Sequence, residues 1–83
     1  MGVINFPIDL STKEYDLTGP NGNAFFIINN ISSIIKQVGR AVGADPAQTN
    51  KYIKEYQEKA MSGDYDNVLA VSSEYVKINW LRK

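Results

Sequence analysis

The 83-residue sequence predicts an α+β fold in which a small antiparallel sheet packs on a central helix. Three observations carry that expectation. Apolar and polar residues alternate near the N-terminus, first over Ile4 to Leu10 and again around Tyr15. A long run of isoleucines at steps of three and four follows, from Ala24 to Val42. Two further helical patterns then open on Asp45 and near Asp64.

Taken in order, Ile4, Phe6, Ile8 and Leu10 alternate with Asn5, Pro7 and Asp9, the period of a half-buried strand. Pro7 cannot donate to a ladder, so it marks an edge or an interruption. The turn-forming residues from Asp9 to Lys13, followed by Lys13, Tyr15 and Leu17 alternating with Glu14, Asp16 and Thr18, predict a second strand and hence an N-terminal β-hairpin.

Gly19, Pro20, Asn21 and Gly22 then form a tight turn, and Asn23 is a favoured N-cap for a helix over about 23–42. Ala24, Ile27, Ile28, Ile31, Ile34, Ile35, Val38, Ala41 and Val42 fall on one stripe of that helix. Asn29, Asn30, Ser32, Ser33, Lys36, Gln37 and Arg40 fall on the other. Isoleucine is a mediocre helix former, so the helix depends on burying its stripe, whose large aliphatics together supply on the order of 10 kcal/mol of gross burial energy. Gly43 suits the left-handed residue that ends it.

Asp45 as N-cap and Pro46 at the first helical position predict a second helix over about 46–61, with Ala47, Tyr52, Ile53, Tyr56, Ala60 and Met61 inward and Gly63 at its end. Ser62 or Asp64 caps a third helix over about 64–76, in which Tyr65, Val68, Leu69, Ser72, Tyr75 and Val76 repeat helically. So short a link makes the two helices neighbours. Val76, Ile78 and Trp80 alternate in the tail, which can form a further strand returning to the hairpin or an arm for a partner. The whole of 1–83 is read as a single domain.

Composition removes several function classes. There is no cysteine and no histidine, so disulfides, the common zinc sites and a neutral-pH proton shuttle are all missing. Lysine plus arginine equals aspartate plus glutamate at 9 each, so no global field attracts nucleic acid or an anionic membrane. The uncharged run from Leu17 to Ser33 contains Gly19, Pro20, Asn21, Asn23, Asn29 and Asn30, which rules out a lipid-facing span there. The N-terminus lacks the basic flank and apolar core of a signal peptide, and a cytoplasmic location is expected. Asp64 and Asp66 stand at a helix start, where carboxylates are favourable without any catalytic role. The expectation is a protein with no catalytic residues, no metal and no cofactor.

Several residues could hold a ligand instead. The turn through Asn21 and Gly22 into Asn23 is either a well-made helix entry or an anion site built from first-turn amides, and it lacks the lysine of a phosphate-binding loop. Phe25 and Phe26 flank the apolar stripe, and either pack inward or offer a stacking platform. Lys36 and Arg40, one turn apart near the end of the helix, are either solvated partners of its dipole or phosphate contacts, in the latter case also from a neighbouring subunit.

The blocks Gly19-Pro20-Asn21-Gly22-Asn23-Ala24-Phe25 and Met61-Ser62-Gly63-Asp64-Tyr65-Asp66-Asn67-Val68-Leu69 resemble a widespread family of small bacteriophage-encoded proteins, over roughly Asp16 to Val76. Phage proteins of this size include anti-defence sponges, homo-oligomers that sequester cyclic dinucleotides or related immune signals without cleaving them. The resemblance implies a homo-oligomer acting in the host cytoplasm, with a nucleotide held between subunits. It implies ligand contacts on the Gly-Pro-Asn-Gly-Asn turn and on Phe25 and Phe26, while Lys36 and Arg40 are added from the residues themselves. The competing expectation is a module that inhibits a host enzyme or defence protein by direct contact, adding Val3 to Leu10 or Val76 to Leu81 to its sheet.

Ile31 sits in the middle of the stripe, so Ile31→Asp forces a charge into the core and is expected to abolish folding. A cooperative thermal transition in that variant would show the face to be misassigned.

Overall fold

The computed structural model describes residues 2–16 and 23–81. Its elements are β1 (Ile8–Asp16), α1 (Ala24–Val42), α2 (Pro46–Ala60), α3 (Tyr65–Tyr75) and β2 (Val76–Leu81). The α+β class stands, but the sheet is parallel rather than antiparallel, and β1 pairs with β2 instead of folding back on itself.

The hairpin fails because its turn residues bulge without reversing the chain. The Asp9 carboxylate accepts from the Ser11 amide at 3.1 Å, a local bond of the kind that also starts turns. Here the ladder slips instead: Leu10 pairs with Ile78 and Glu14 with Asn79, so Ser11, Thr12 and Lys13 have no opposite number on β2. On either side of this bulge the apolar residues meet across the ladder. Ile8 faces Val76, Leu10 faces Ile78, and Tyr15 meets Trp80 edge to face at 5.3 Å. The C-terminal segment is therefore a strand, and it supplies the partner that the second arm of the hairpin was expected to be. β1 begins directly after Pro7, whose peptide bond with Phe6 is cis.

The three helices match their expected spans to within a residue or two because each has a readable cap. The Asn23 side chain accepts from the Phe25 amide at 2.9 Å, that of Asp45 from Ala47 at 3.0 Å, and that of Asp64 from Asn67 at 3.0 Å. At the end of α1, Gly43 is left-handed with φ 72°, and the amides of Gly43 and Ala44 close onto the carbonyls of Arg40 and Gly39. The short link from α2 to α3 is held by Asn67, whose side-chain amide donates to the Lys59 and Ala60 carbonyls in the last turn of α2. Tyr75 ends α3 and Val76 is already extended, so β2 begins with no intervening loop.

The core gathers Ile27, Ile28, Ile31 and Ile35 of α1 with Tyr56 and Ala60 of α2, Val68, Leu69, Val71 and Tyr75 of α3, and Ile4, Ile8 and Val76. Phe6 packs edge to face on Tyr52 and on Tyr75, and Tyr56 likewise on Tyr75, so the N-terminal segment is fastened to the helices by an aromatic cluster. One polar contact lies within this core: the Tyr56 and Ser72 hydroxyls are 2.6 Å apart and both side chains are buried.

Burial pushes the Tyr56 hydroxyl up to about 12, with the Ser72 hydrogen bond acting in the opposite direction. The unfolded value is about 10, so between about pH 10 and 12 the folded chain keeps a proton that the unfolded chain releases. The stability tied to this proton is complete below about pH 10 and falls as the pH rises through that window. Tyr56→Phe is expected to remove this part of the alkaline loss. It strands the Ser72 hydroxyl, at a cost of about 1–3 kcal/mol at neutral pH. Urea denaturation should show most of that cost recovered in Tyr56→Phe/Ser72→Ala.

Candidate functional site

With its isoleucine stripe turned into the core, α1 must present its other face outward. Phe25 is 69% exposed and Phe26 47% exposed, so neither packs into the core, and both stand on the outside of the first turn. Asn23 is exposed beside them, with its side-chain oxygen committed to the cap. Asn21 and Gly22, with Gly19 and Pro20, lie outside the described residues.

Lys36 and Arg40 are exposed near the other end of α1, and neither has an ion-pair partner among the described residues. They line a cleft of about 220 Å³ where α1 turns into α2. Lys36, Gly39 and Arg40 form one wall, and Pro46, Thr49 and Asn50 the other. No carboxylate side chain lines this cleft. It therefore offers an ammonium, a guanidinium and an amide to whatever enters, a donor set suited to an anion. A second cleft of about 250 Å³, between Val3 and Tyr52, includes Asp45 and has no cation in its wall, so it lacks that suitability.

The corner exists because two helices approach closely there. Gly39 is buried, and a Cβ added to it would stand 2.7 Å from Thr49 Oγ1 and 2.9 Å from Thr49 Cγ2. Thr49 cannot swing aside freely, since it is itself buried and its hydroxyl donates to the Asp45 carbonyl at 3.1 Å. Farther along, Gln57 donates to the Ser32 hydroxyl at 3.1 Å and holds α2 along the same flank of α1. On the opposite flank Asn30 donates to the Tyr15 hydroxyl and to the Phe26 carbonyl, both at 3.0 Å.

Of the site residues expected from the sequence, Phe25, Phe26, Lys36 and Arg40 thus share one face of α1 but not one location. At 1.5 Å per residue, Phe26 and Lys36 are about 15 Å apart along the axis, and Asn23 and Arg40 about 25 Å. A single small ligand in the cleft of one copy reaches the two cations and leaves the phenylalanines untouched. The opposite wall, Pro46, Thr49 and Asn50, was not anticipated. A signal existed in Gly39, which continues the spacing Ile31, Ile35 on the buried stripe and marks a point where another backbone comes close.

Other candidate groups have structural partners. The Trp80 indole donates to the Ser73 hydroxyl at 3.1 Å, which ties the tail to α3. Asp64 is the α3 cap, and Tyr52, Tyr56 and Tyr75 belong to the aromatic cluster. Among the described residues no group of His, Cys, Asp and Glu could hold a metal ion, and no helix is long and apolar enough to cross a membrane. The chain matches no family model, and no match was found among curated proteins or solved structures.

Gly39→Val is expected to destabilise the protein by about 1–3 kcal/mol through overpacking against Thr49. That exceeds the gain of roughly 0.5–1 kcal/mol from removing a helical glycine. Thr49→Ala in the same background should restore part of the loss. A Gly39→Val variant with an unchanged urea midpoint would mean that the two helices are farther apart than described.

Proposed function

We propose that this chain is a non-catalytic binder that sequesters a nucleotide immune signal of the cyclic dinucleotide type, a bacteriophage anti-defence protein acting in the host cytoplasm. The observation that carries the reading is the cleft at the α1–α2 corner, with Lys36 and Arg40 unpaired in a wall free of carboxylates. Sequestration needs affinity and no bond breaking, which agrees with a chain that has no histidine or cysteine to activate water or a nucleophile. At about 220 Å³ the cleft is below the usual 300–1,000 Å³ of a small-molecule pocket, so it suits a phosphate with part of its sugar. The bases then need cover from elsewhere, and Phe25 and Phe26 of another copy are exposed aromatics able to stack on them. This favours a homo-oligomer with ligand between subunits, as the resemblance to small phage proteins implies.

One observation favours a second reading. The sheet has only two strands among the described residues, so β1 and β2 each have an outer edge outside the ladder. A host enzyme or defence protein could add a strand there, and the chain would then inhibit by direct contact.

A panel of cyclic mono- and dinucleotides separates the two. A ligand at about 100 times its dissociation constant stabilises by about 2.7 kcal/mol, which for a domain of this size raises Tm by roughly 10–20 °C. Arg40→Ala should abolish most of that rise while leaving the ligand-free Tm unchanged. No shift across the panel would overturn the nucleotide reading, and an unchanged shift in Arg40→Ala would remove the cleft from the site.

A further inference from the structure

We propose that the groove between α1 and α2 binds a single-stranded oligonucleotide, with phosphates on the cations at the corner and a base on Phe25 at the far end. The two helices run antiparallel, with Gly39 against Thr49 and Ser32 bonded to Gln57. At about 100° per residue, Phe25, Asn29, Ser32, Lys36 and Arg40 fall within about 80° of arc on α1, the flank from which Lys36 and Arg40 line the cleft. On α2 a matching arc of about 100° holds Pro46, Asn50, Ile53, Lys54, Gln57 and Met61, of which Pro46 and Asn50 line the same cleft. The cleft is thus one end of a groove about 22 Å long, the rise of α1 from Phe25 to Arg40.

What selects nucleic acid as the occupant is the chemistry of these two ridges. Neither carries a carboxylate. α1 contains no acidic residue, and Asp45, Glu55 and Glu58 of α2 and its cap lie about 90° or more around that helix from the middle of its arc. The other six carboxylates, Asp9, Glu14 and Asp16 of β1 and Asp64, Asp66 and Glu74 at the start of α3 or along it, are on neither ridge. A net charge of zero therefore conceals a local cationic stretch. Lys36, Arg40 and Lys54 are all exposed and bring three positive charges to a backbone of phosphates. Asn29 and Asn50, exposed beside them, offer amides that hydrogen-bond base edges or sugar hydroxyls. At the far end Phe25 is 69% exposed and Met61 57% exposed, an apolar platform on which a base can stack. A duplex keeps its bases stacked inside and gains nothing from that platform, and an acidic peptide uses the cations alone.

The groove rests on the function proposed above for its cationic end and extends it. A small nucleotide fills the cleft alone, whereas a strand of about four nucleotides continues along both ridges of one copy to Phe25.

Fluorescence anisotropy of labelled RNA and DNA strands of about six nucleotides, in about 50 mM salt, should show saturable binding to the full-length protein. Affinity should fall with salt at a log-log slope of about −2, as expected when three phosphates of a single strand are neutralised. Lys54→Glu, outside the cleft, should weaken strand binding by about tenfold or more, with the ligand-free Tm and the Tm rise given by a cyclic dinucleotide both unchanged. Phe25→Ala should weaken strand binding by about fivefold or more. No binding of either strand at about 0.1 mM protein overturns the groove, as does wild-type strand affinity in Lys54→Glu. Equal affinity for a duplex or for oligoglutamate of the same charge overturns it too. Strand binding with no response to cyclic dinucleotides would keep the groove and remove the cyclic ligand. A dinucleotide response with no strand binding would do the reverse.

Discussion

The rest of the structure depends on the parallel pairing of the first strand with the last. A parallel ladder cannot be closed by a tight turn, because the chain must return to the same end before the second strand can begin. All three helices are therefore one long crossover between β1 and β2. Since α3 passes directly into β2, the position of the last helix is bound to that of the sheet. Val76, the first residue of β2 and opposite Ile8 in the ladder, is fully buried, so the junction between helix and strand lies inside the core.

That arrangement divides α1 into two faces with different tasks. The inner face is shared by α2 and α3, and its isoleucines hold the crossover together. Among the described residues no strand or helix of the chain lies over the outer face. The α1–α2 corner follows from chain geometry: Gly43 ends one helix, Asp45 caps the next, and Ala44 alone separates them. A sharp reversal with a glycine at the crossing brings the two backbones close, and the side chains just outside the contact, Lys36, Arg40 and Asn50, border the space that remains. The cleft is a product of how the helices pack, and its charge comes from cations placed near the C-terminal end of a helix, where the dipole favours them.

The helices were legible in the sequence because their ends carry local chemistry. Asn23, Asp45 and Asp64 cap in the way their side chains allow, and Gly43 adopts the backbone that a glycine permits. The sense of the sheet was not legible. Alternation of period two is the same for parallel and antiparallel partners, and Asp9 makes the same local bond to Ser11 whether the chain turns or bulges. Which strand pairs with which is a tertiary outcome, decided here by Ile8 and Leu10 meeting Val76 and Ile78. For the candidate site the sequence located residues on α1 and nothing across from them. Lys36 and Arg40 follow from the helical pattern, while Pro46, Thr49 and Asn50 come opposite only once α2 folds back. Gly39 was missed because periodicity is read from large apolar residues, and a glycine on the stripe leaves no mark in that count.

The exposure of Phe25 and Phe26 has a cost that packing alone does not explain. A phenylalanine fully buried contributes about 1.5–3 kcal/mol, so two rings left about half or more in water forgo on the order of 2–3 kcal/mol together. A domain of 83 residues has a net stability of about 4–12 kcal/mol, of which that is a substantial part. Asparagine and serine occupy neighbouring outward positions on the same helix, so polar side chains are readily accommodated there. Two large rings on a face that accommodates polar residues are the feature on which the proposed contacts with a ligand or with another chain rest.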